Sequence, residues 1–183
     1  MFRNFLLICV FFSCCSIVVA DQSKSRGAFV GVGLGISTFD DGGAFAGFSF
    51  DDEDSSFQIL GGYKFLPYFA LEGRYVDLGT FTVNTLDIDV TATSIHAVGI
   101  VPFGENGWEL FGQLGFGVVN FDLTGLGDED EEVFAGGIGV RFSPTSNFSL
   151  AIQTDVYVWE DNSLGPVYDL AVGGTQLTIQ YIF

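Results

Sequence analysis

The feature that most constrains this chain is a two-residue alternation of apolar residues with polar residues or glycine, which recurs in eight segments. Successive side chains of an extended strand point to opposite faces, so each segment is expected to form a strand with one apolar face. In the first segment, Val30, Val32 and Leu34 alternate with glycines. The predicted strands cover residues 28–37, 56–65, 69–78, 92–103, 108–121, 133–143, 148–159 and 168–183.

Composition indicates what these apolar faces contact. The chain is 48% hydrophobic with a mean hydropathy of +0.42, although its formal net charge is −17. A soluble protein of such acidity is expected to be less apolar. No segment beyond the N-terminal leader reaches the ~18 consecutive apolar residues that a membrane-spanning helix requires. The pattern therefore predicts strands that face lipid, and the negative charge excludes nucleic acid as an expected partner, since phosphate binding requires a basic face.

The connections between the predicted strands alternate in length and charge. Tight turns with Pro, Gly or Asn are expected at 66–68, 104–107 and 144–147, and longer acidic loops at 38–55, 79–91, 122–132 and 160–167. Short turns on one side and long loops on the other are typical of outer-membrane barrels. We therefore expect an all-β fold, an eight-stranded antiparallel up-and-down transmembrane β-barrel with periplasmic termini and extracellular loops.

Aromatic residues collect at both ends of the predicted strands. They flank the turns at Phe65, Phe69, Phe103, Trp108, Phe142 and Phe148, and the loops at Phe57, Phe121, Phe134 and Trp159. Two aromatic girdles at the membrane–water interfaces are the expected arrangement. The stretch 44–50 also alternates, and we interpret it as a loop extension because a further spanning strand would make nine.

The N-terminus is typical of a secretory signal peptide covering residues 1–20. Arg3 supplies the positive charge, residues 5–12 form an apolar segment, and cleavage is expected between Ala20 and Asp21. The predicted domain organisation continues with a short N-terminal extension, 21–27, and a barrel over 28–183.

Every cysteine of the chain lies within this leader. The alternative, a lipoprotein signal at Cys14 or Cys15, is weakened because the residues before them match a lipidation box poorly. The exported chain has no cysteine after removal of the leader, so neither a disulfide framework nor a cysteine metal site is expected.

Charged residues also occur at inward-facing positions of the predicted strands. They are Glu72, Arg74, Glu109, Arg141 and Asp155. Buried charges require partners, so these residues are predicted to form a polar cluster that fills the lumen. Eight strands leave an interior just wide enough for side chains, and a large diffusion pore is therefore not expected.

Two features of the sequence raise the question of a catalytic or a cation-binding site. His96 and Ser94 share one strand face, but that face is predicted to point into the lumen, and no acid is placed beside them by sequence. No catalytic residue is therefore predicted, and a lipid A-modifying enzyme is kept as a remote alternative. The acidic runs at 51–54 and 128–132 lack EF-hand spacing and are interpreted as solvated loops, with loose divalent-cation bridging to lipopolysaccharide as the alternative. No cofactor motif occurs.

The second predicted hairpin resembles that of OmpA-like and opacity-type outer-membrane barrels. The resemblance rests on Gly61-Gly62-Tyr63-Lys64-Phe65, a Pro-containing turn, and Leu71-Glu72-Gly73-Arg74-Tyr75. The terminal Tyr181-Ile182-Phe183 is similar to the family's C-terminal signal. The resemblance covers about 28–183, and the chain stops where full-length OmpA continues into a peptidoglycan-binding domain, so cell-wall tethering is not expected.

The resemblance implies partners and a class of function. Leu177, Ile179, Tyr181 and Phe183 are expected to form a signal read by the barrel assembly machinery, with periplasmic chaperones, membrane lipid and lipopolysaccharide as further partners. We expect a monomeric integral outer-membrane protein with a structural or surface-interaction role through its acidic loops. The alternative is a narrow porin-like channel gated by the lumen ion pairs.

Overall fold

The alternating segments form a closed barrel. The computed structural model describes residues 26–40, 50–51, 53–83, 86–104, 107–123, 127–161 and 168–183. Eight long strands make up the barrel: β1 Gly27–Asp40, β2 Glu53–Leu66, β3 Phe69–Val83, β4 Leu86–Phe103, β5 Trp108–Leu123, β6 Gly127–Phe142, β7 Phe148–Asp161 and β8 Tyr168–Ile182. A two-residue strand, Phe50–Asp51, pairs with the end of β3. The described part of the chain holds no helix that is both long and apolar enough to cross a membrane.

Each strand pairs antiparallel with its neighbour in sequence, and β1 pairs with β8 to close the ring. At this closure Val30 lies opposite Tyr181 and Leu34 lies opposite Leu177. A closed barrel pairs the backbone groups of all its strands, which a hydrocarbon environment demands. The predicted eight-stranded antiparallel up-and-down barrel is confirmed.

Along the middle of the strands, apolar side chains face outward and polar ones face inward. Leu34 and Ile138 are 68% and 69% exposed, whereas Gln153 and Thr178 are buried inside. Inward glycines make room for the larger polar groups. A Cβ on Gly33 would lie 2.7 Å from the Gln58 amide nitrogen, so glycine leaves room for the Gln58 side chain to pass over β1 to Thr178.

On the loop side the strands are longer than predicted, and the polarity pattern inverts. Residues predicted as the loop 79–91 belong to β3 and β4 on both sides of 84–85. Here acids such as Asp89 and Asp122 face outward, while Val90 and Val119 are buried inside. The predicted strand ends were wrong because they were placed where the outward residues cease to be apolar. The strands continue beyond that point, where water rather than lipid surrounds the barrel.

Two aromatic residues predicted for the loop-side girdle lie inside instead. Trp159 is 7% exposed, and its ring packs on that of Phe121 with centroids 5.4 Å apart. Both residues occupy inward positions in the alternation of their strands, so the sequence pattern already indicated that they lie inside. At the turn side, Trp108 does lie on the outer face, between the rings of Phe103 and Phe142 at 6.3 and 4.7 Å.

A bulge in β3 lies where the outer surface of the barrel changes from apolar to acidic. The register between β3 and β4 shifts between Asp77 and Thr80. Gly79 adopts a φ of 88°, which side-chain-bearing residues rarely adopt, and donates its N–H to the Asp77 carboxylate over 3.0 Å. The Thr80 N–H donates to the Asp54 carboxylate over 2.7 Å, which ties the bulge to β2.

Three predictions fall on other parts of the chain. The signal peptide 1–20, most of the extension 21–27, and the stretch 44–50 apart from Phe50 lie outside the described residues.

Candidate functional site

The interior of the barrel is divided into layers along its axis. Each strand contributes an inward residue to successive layers because its side chains alternate. The turn-side apolar layer contains Phe29, Leu60, Ala70, Val98, Ile100, Phe111 and Ala151. The loop-side apolar layer contains Val76, Leu78, Phe81, Val90, Ala92, Val119, Val133, Ala135, Tyr157, Trp159, Leu170 and Val172. Polar side chains lie between these two apolar layers, and a second charged group lies at the turn-side end.

The central polar belt is organised around Arg74 of β3. Its Nη1 donates to Asp155 Oδ2 over 2.6 Å, and its Nη2 donates to Glu72 and, over 3.0 Å, to Gln113 Oε1. Asp155 also accepts hydrogen bonds from Gln113 and from Gln153, the latter over 2.7 Å. Three of the five predicted lumen residues therefore meet here, together with two amides that fix the carboxylate.

The other two predicted lumen residues form a separate group near the turns. Glu109 Oε1 accepts a hydrogen bond from Lys64 Nζ over 2.9 Å, and Glu109 Oε2 accepts one from Arg141 over 3.3 Å. The Arg141 guanidinium also lies 4.7 Å from the centre of the Phe111 ring. Lys64 was missed as a lumen residue, although it has the same parity in β2 as the inward Gln58 and Leu60.

The two groups carry opposite excess charge. Around Arg74 there are two carboxylates for one guanidinium, whereas Glu109 has two cationic partners. The apolar layer with Leu60 and Phe111 separates them. The sequence indicated one cluster because it shows which face a residue occupies but not its height along the axis.

Uncharged polar side chains complete the belt. Gln58 donates to the Thr178 hydroxyl over 2.6 Å, and the Gln176 amide donates to the Ser56 hydroxyl over 3.3 Å. Among the described residues, Gln58 Oε1, His96 Nδ1 and Gln176 Oε1 are buried without a hydrogen-bond partner. Such atoms normally bind ordered water, so the belt has the chemistry of an enclosed hydrated layer.

His96 and Ser94 lie in this belt. Ser94 Oγ and His96 Nε2 are 2.7 Å apart, and both side chains are buried. Glu72 lies directly opposite His96 in the β3–β4 register, an acid that the sequence did not place there, but its carboxylate binds Arg74. Apolar layers separate the pair from both ends of the barrel. The pair therefore belongs to the enclosed polar network of the lumen and does not present an accessible nucleophile.

The outer surface of β4, β5 and β6 changes from apolar to acidic in three successive rows. The first row is Ile95, Phe116 and Phe134, the second is Thr93, Val118 and Glu132, and the third is Thr91, Asn120 and Asp130. Beyond them, Asp89 lies opposite Asp122. This gradient places the edge of the hydrocarbon layer near the second row.

Exposed acids of the described residues lie along the loop-side ends of β2 to β6, and we term them the acidic collar. They are Glu53, Asp77, Asp87, Asp89, Asp122, Asp130 and Glu132. The sequence has no Lys or Arg between 75 and 140 or after 141. The described residues contain no group of three or more acidic, His or Cys side chains able to hold a metal ion.

The C-terminal strand presents its predicted signal residues to the outside. Leu177, Ile179 and Tyr181 face outward on β8, and Phe183, which directly follows the strand, is also exposed. The Tyr181 ring lies 5.1 Å from the ring of Phe183, and the Phe183 N–H donates to the Ala28 carbonyl over 3.0 Å. The final residues thus belong to the barrel wall at its closing seam.

Known proteins share this architecture. The family model described as outer membrane protein beta-barrel domain matches residues 7–183. No curated protein sequence matched the chain.

Solved structures resemble the barrel in fold. Neisserial surface protein A is 12% identical with a TM-score of 0.65, covering 86% of this chain and 97% of its own. Ail, the attachment invasion locus protein of Yersinia pestis, is 21% identical with a TM-score of 0.57, and the match covers 87% of this chain and 100% of the Ail chain. OprG from Pseudomonas aeruginosa is 17% identical with a TM-score of 0.54, and the match covers 89% of this chain and 99% of the OprG chain.

Proposed function

Because the chain belongs to the outer membrane protein beta-barrel domain family and is an integral protein of the bacterial outer membrane, we propose that it has a structural and surface-interaction role through its acidic extracellular side. The observation that carries this proposal is the acidic collar, which the chain leaves without basic neighbours. A surface of one charge sign attracts partners of the opposite sign and repels others.

Orientation is part of the proposal. The strands are joined by short turns at one end, around Pro67, Gly104 and Pro144, and carry the collar at the other. Barrels of this class place short turns in the periplasm and long loops outside the cell. The collar and the loops between β1 and β2, β3 and β4, β5 and β6, and β7 and β8 therefore face the exterior.

The collar supports a cationic partner in particular. A solved structure of Ail contains a heparin analogue, sucrose octasulfate. Beyond Arg26, this chain has only Lys64, Arg74 and Arg141 as basic residues, and all three point into the lumen. It offers no basic group to a sulfated ligand on the loop side, so we propose that its surface ligand is a basic peptide or a comparable polycation.

Cell-surface binding tests this proposal. Intact cells displaying the protein are expected to bind a fluorescent oligolysine several-fold better than a fluorescent heparin fragment. Changing Asp89, Asp122 and Asp130 to Asn should weaken the oligolysine binding several-fold, because it removes three of the seven collar charges. The matched control changes Thr91, Thr93 and Asn120 to Ala, which leaves the charge intact. Equal binding by both variants would contradict the role of the collar.

Assembly partners are proposed on the same basis. The outward residues of β8, ending in Phe183, support recognition by the barrel assembly machinery after delivery by periplasmic chaperones. Lipid and lipopolysaccharide then surround the apolar band, and the barrel acts as a monomer. We assign no catalytic role to Ser94 or His96, since both are enclosed.

A narrow solute channel is the second candidate. It is favoured by the central polar belt and by the ion pairs of Arg74 and Glu109, whose rearrangement would admit a small solute. The two apolar layers oppose it, because ions cross such layers poorly without water.

A further inference from the structure

The turn-side end of the lumen carries more positive than negative charge. Lys64 Nζ donates to Glu109 Oε1 over 2.9 Å, and Arg141 Nη1 donates to Glu109 Oε2 over 3.3 Å. Each oxygen of the carboxylate therefore binds a different cation. Because one carboxylate balances only one of these two cations, the group retains an excess of one positive charge.

This excess charge lies largely out of contact with water. The side chains of Lys64, Glu109 and Arg141 are 9%, 16% and 8% exposed. Toward the middle of the barrel, the apolar layer with Leu60 and Phe111 separates the group from the central polar belt. The carboxylates of that belt contact the guanidinium of the belt instead. A buried charge without a counter-charge in contact is strongly unfavourable, so the group requires an additional negative partner.

Two hydrogen-bond donors at the same end have no partner among the described residues. They are Arg141 Nε and Gln180 Nε2, and the two residues are 6% and 2% exposed. The register places them on either side of β7. Ala151 of β7 lies opposite Arg141. Ser149, the next inward residue toward the turn, lies opposite Gln180 and donates to its Oε1 over 3.4 Å, which leaves the amide nitrogen of Gln180 available.

The charge and the donors together select the kind of ligand. A water molecule satisfies a donor but carries no net charge, whereas an anion satisfies the donors and also balances the excess positive charge. A monovalent anion is favoured, because a divalent anion would leave one negative charge in excess. The anion must also be small, since side chains fill most of the interior of an eight-stranded barrel.

We propose that the turn-side end of the lumen binds one small monovalent anion. Arg141 Nε and Gln180 Nε2 donate to the anion, and it balances the charge that Glu109 leaves uncompensated on Lys64 and Arg141. The site lies at the opposite end of the barrel from the acidic collar, and it goes beyond the surface role proposed above.

Chloride NMR of the folded barrel in zwitterionic micelles tests the site. Exchange between solution and a protein site broadens the chloride resonance, and the strongly acidic remainder of the chain disfavours non-specific chloride binding. We expect protein-dependent broadening that falls several-fold when bromide is added as a competitor. Sulfate added at the same ionic strength should leave most of the broadening in place. No protein-dependent broadening, or equal displacement by sulfate and bromide, would overturn the proposal.

Three variants assign the broadening to the proposed donors. Gln180→Leu removes one donor without a change of charge, and Arg141→Lys removes Nε but keeps the charge. Both should reduce the broadening several-fold. The matched control, Arg26→Gln, removes an exposed cation that precedes β1 and should leave the broadening unchanged. Equal broadening in wild type and in both lumen variants would overturn the proposal, as would a loss in Arg26→Gln as large as that in Arg141→Lys.

Anomalous diffraction from crystals of the wild-type barrel grown in sodium bromide locates the anion. We expect a bromide peak within hydrogen-bonding distance of Arg141 Nε and Gln180 Nε2. Peaks confined to the outer surface would identify an adventitious ion only and would overturn the proposal. Heat-modifiable gel migration shows whether each variant is folded, and the diffraction result on wild type decides the proposal even if a variant does not fold.

Discussion

Arg74 is the cation that balances the central polar belt, since it contacts both Glu72 and Asp155. We predict that Arg74→Met destabilises the barrel by ~3–5 kcal/mol, because it leaves two carboxylates buried without their cation. Urea midpoints in folded micelles would measure this loss. Combining Arg74→Met with Glu72→Gln and Asp155→Asn should restore much of the stability, since no buried charge then remains. A triple variant as unstable as the single one would contradict the pairing.

Asp54 lies at the loop-side end of β2, beyond the apolar band, and links two strands. Its carboxylate accepts the N–H of Thr80 over 2.7 Å and that of Ser55 over 2.6 Å, and these bonds hold its pKa below the usual value for Asp. A group whose pKa is depressed on folding stabilises the protein above its unfolded pKa of about 3.9. That stability is lost as the pH falls through the lower folded value.

Asp54→Asn is therefore expected to be less stable than wild type at pH 7, with a difference that shrinks as the pH falls below about 4. Urea unfolding at a series of pH values would measure it. Glu53→Gln, the exposed neighbour, controls for loss of a collar charge. A difference between Asp54→Asn and wild type that stays constant from pH 7 to pH 2 would contradict this assignment.

At the scale of single residues, the sequence predicted which side chains face inward but not which ones meet. Glu72, Arg74 and Asp155 come from β3 and β7, which are not neighbours in the barrel, and their contact depends on the shared height of their positions. Lys64 had the right parity to be included. It was missed because it was interpreted only as part of a family motif.

Strands are the scale at which the alternation has its clearest consequence. Leu34 and Thr38 both face outward on β1, but Leu34 lies in the apolar band and Thr38 near the collar. We predict that Leu34→Arg costs ~2–4 kcal/mol of folding free energy because it places a charge in hydrocarbon, and that Thr38→Arg costs ~0–1. Urea midpoints of the two variants in lipid vesicles would measure the difference, and equal losses would contradict the assigned boundary.

The loop-side ends of the strands show where reasoning from sequence stops. The predicted end of β3 at residue 78 is followed in the structure by Gly79 and then by Phe81, which is buried in the loop-side apolar layer. The alternation continues through this segment, but the bulge shifts which positions face inward. Apolar residues now face the interior, because water surrounds the outside of the barrel here. A search for apolar outward residues cannot detect such a strand, because water now surrounds it.

For the whole molecule, the layered interior predicts a barrel whose lumen does not conduct ions. Two apolar layers lie on either side of the central belt, and the turn-side one includes Phe29, Leu60 and Phe111. We expect purified, heat-modifiable protein to show no steady single-channel openings in planar bilayers, since ions do not cross dry apolar layers readily. Steady openings in a correctly folded sample would favour the channel over the structural role.

The sequence by itself determined the strand count, the antiparallel topology and the face that each spanning residue occupies. These follow from a period of two and from the order of turns, which are local properties of the chain. Only the tertiary structure decided that the lumen charges form two groups of opposite excess charge, one around Arg74 and one around Glu109. This division depends on the stagger between neighbouring strands, which sets the height of each side chain along the barrel axis and is not encoded in any one segment.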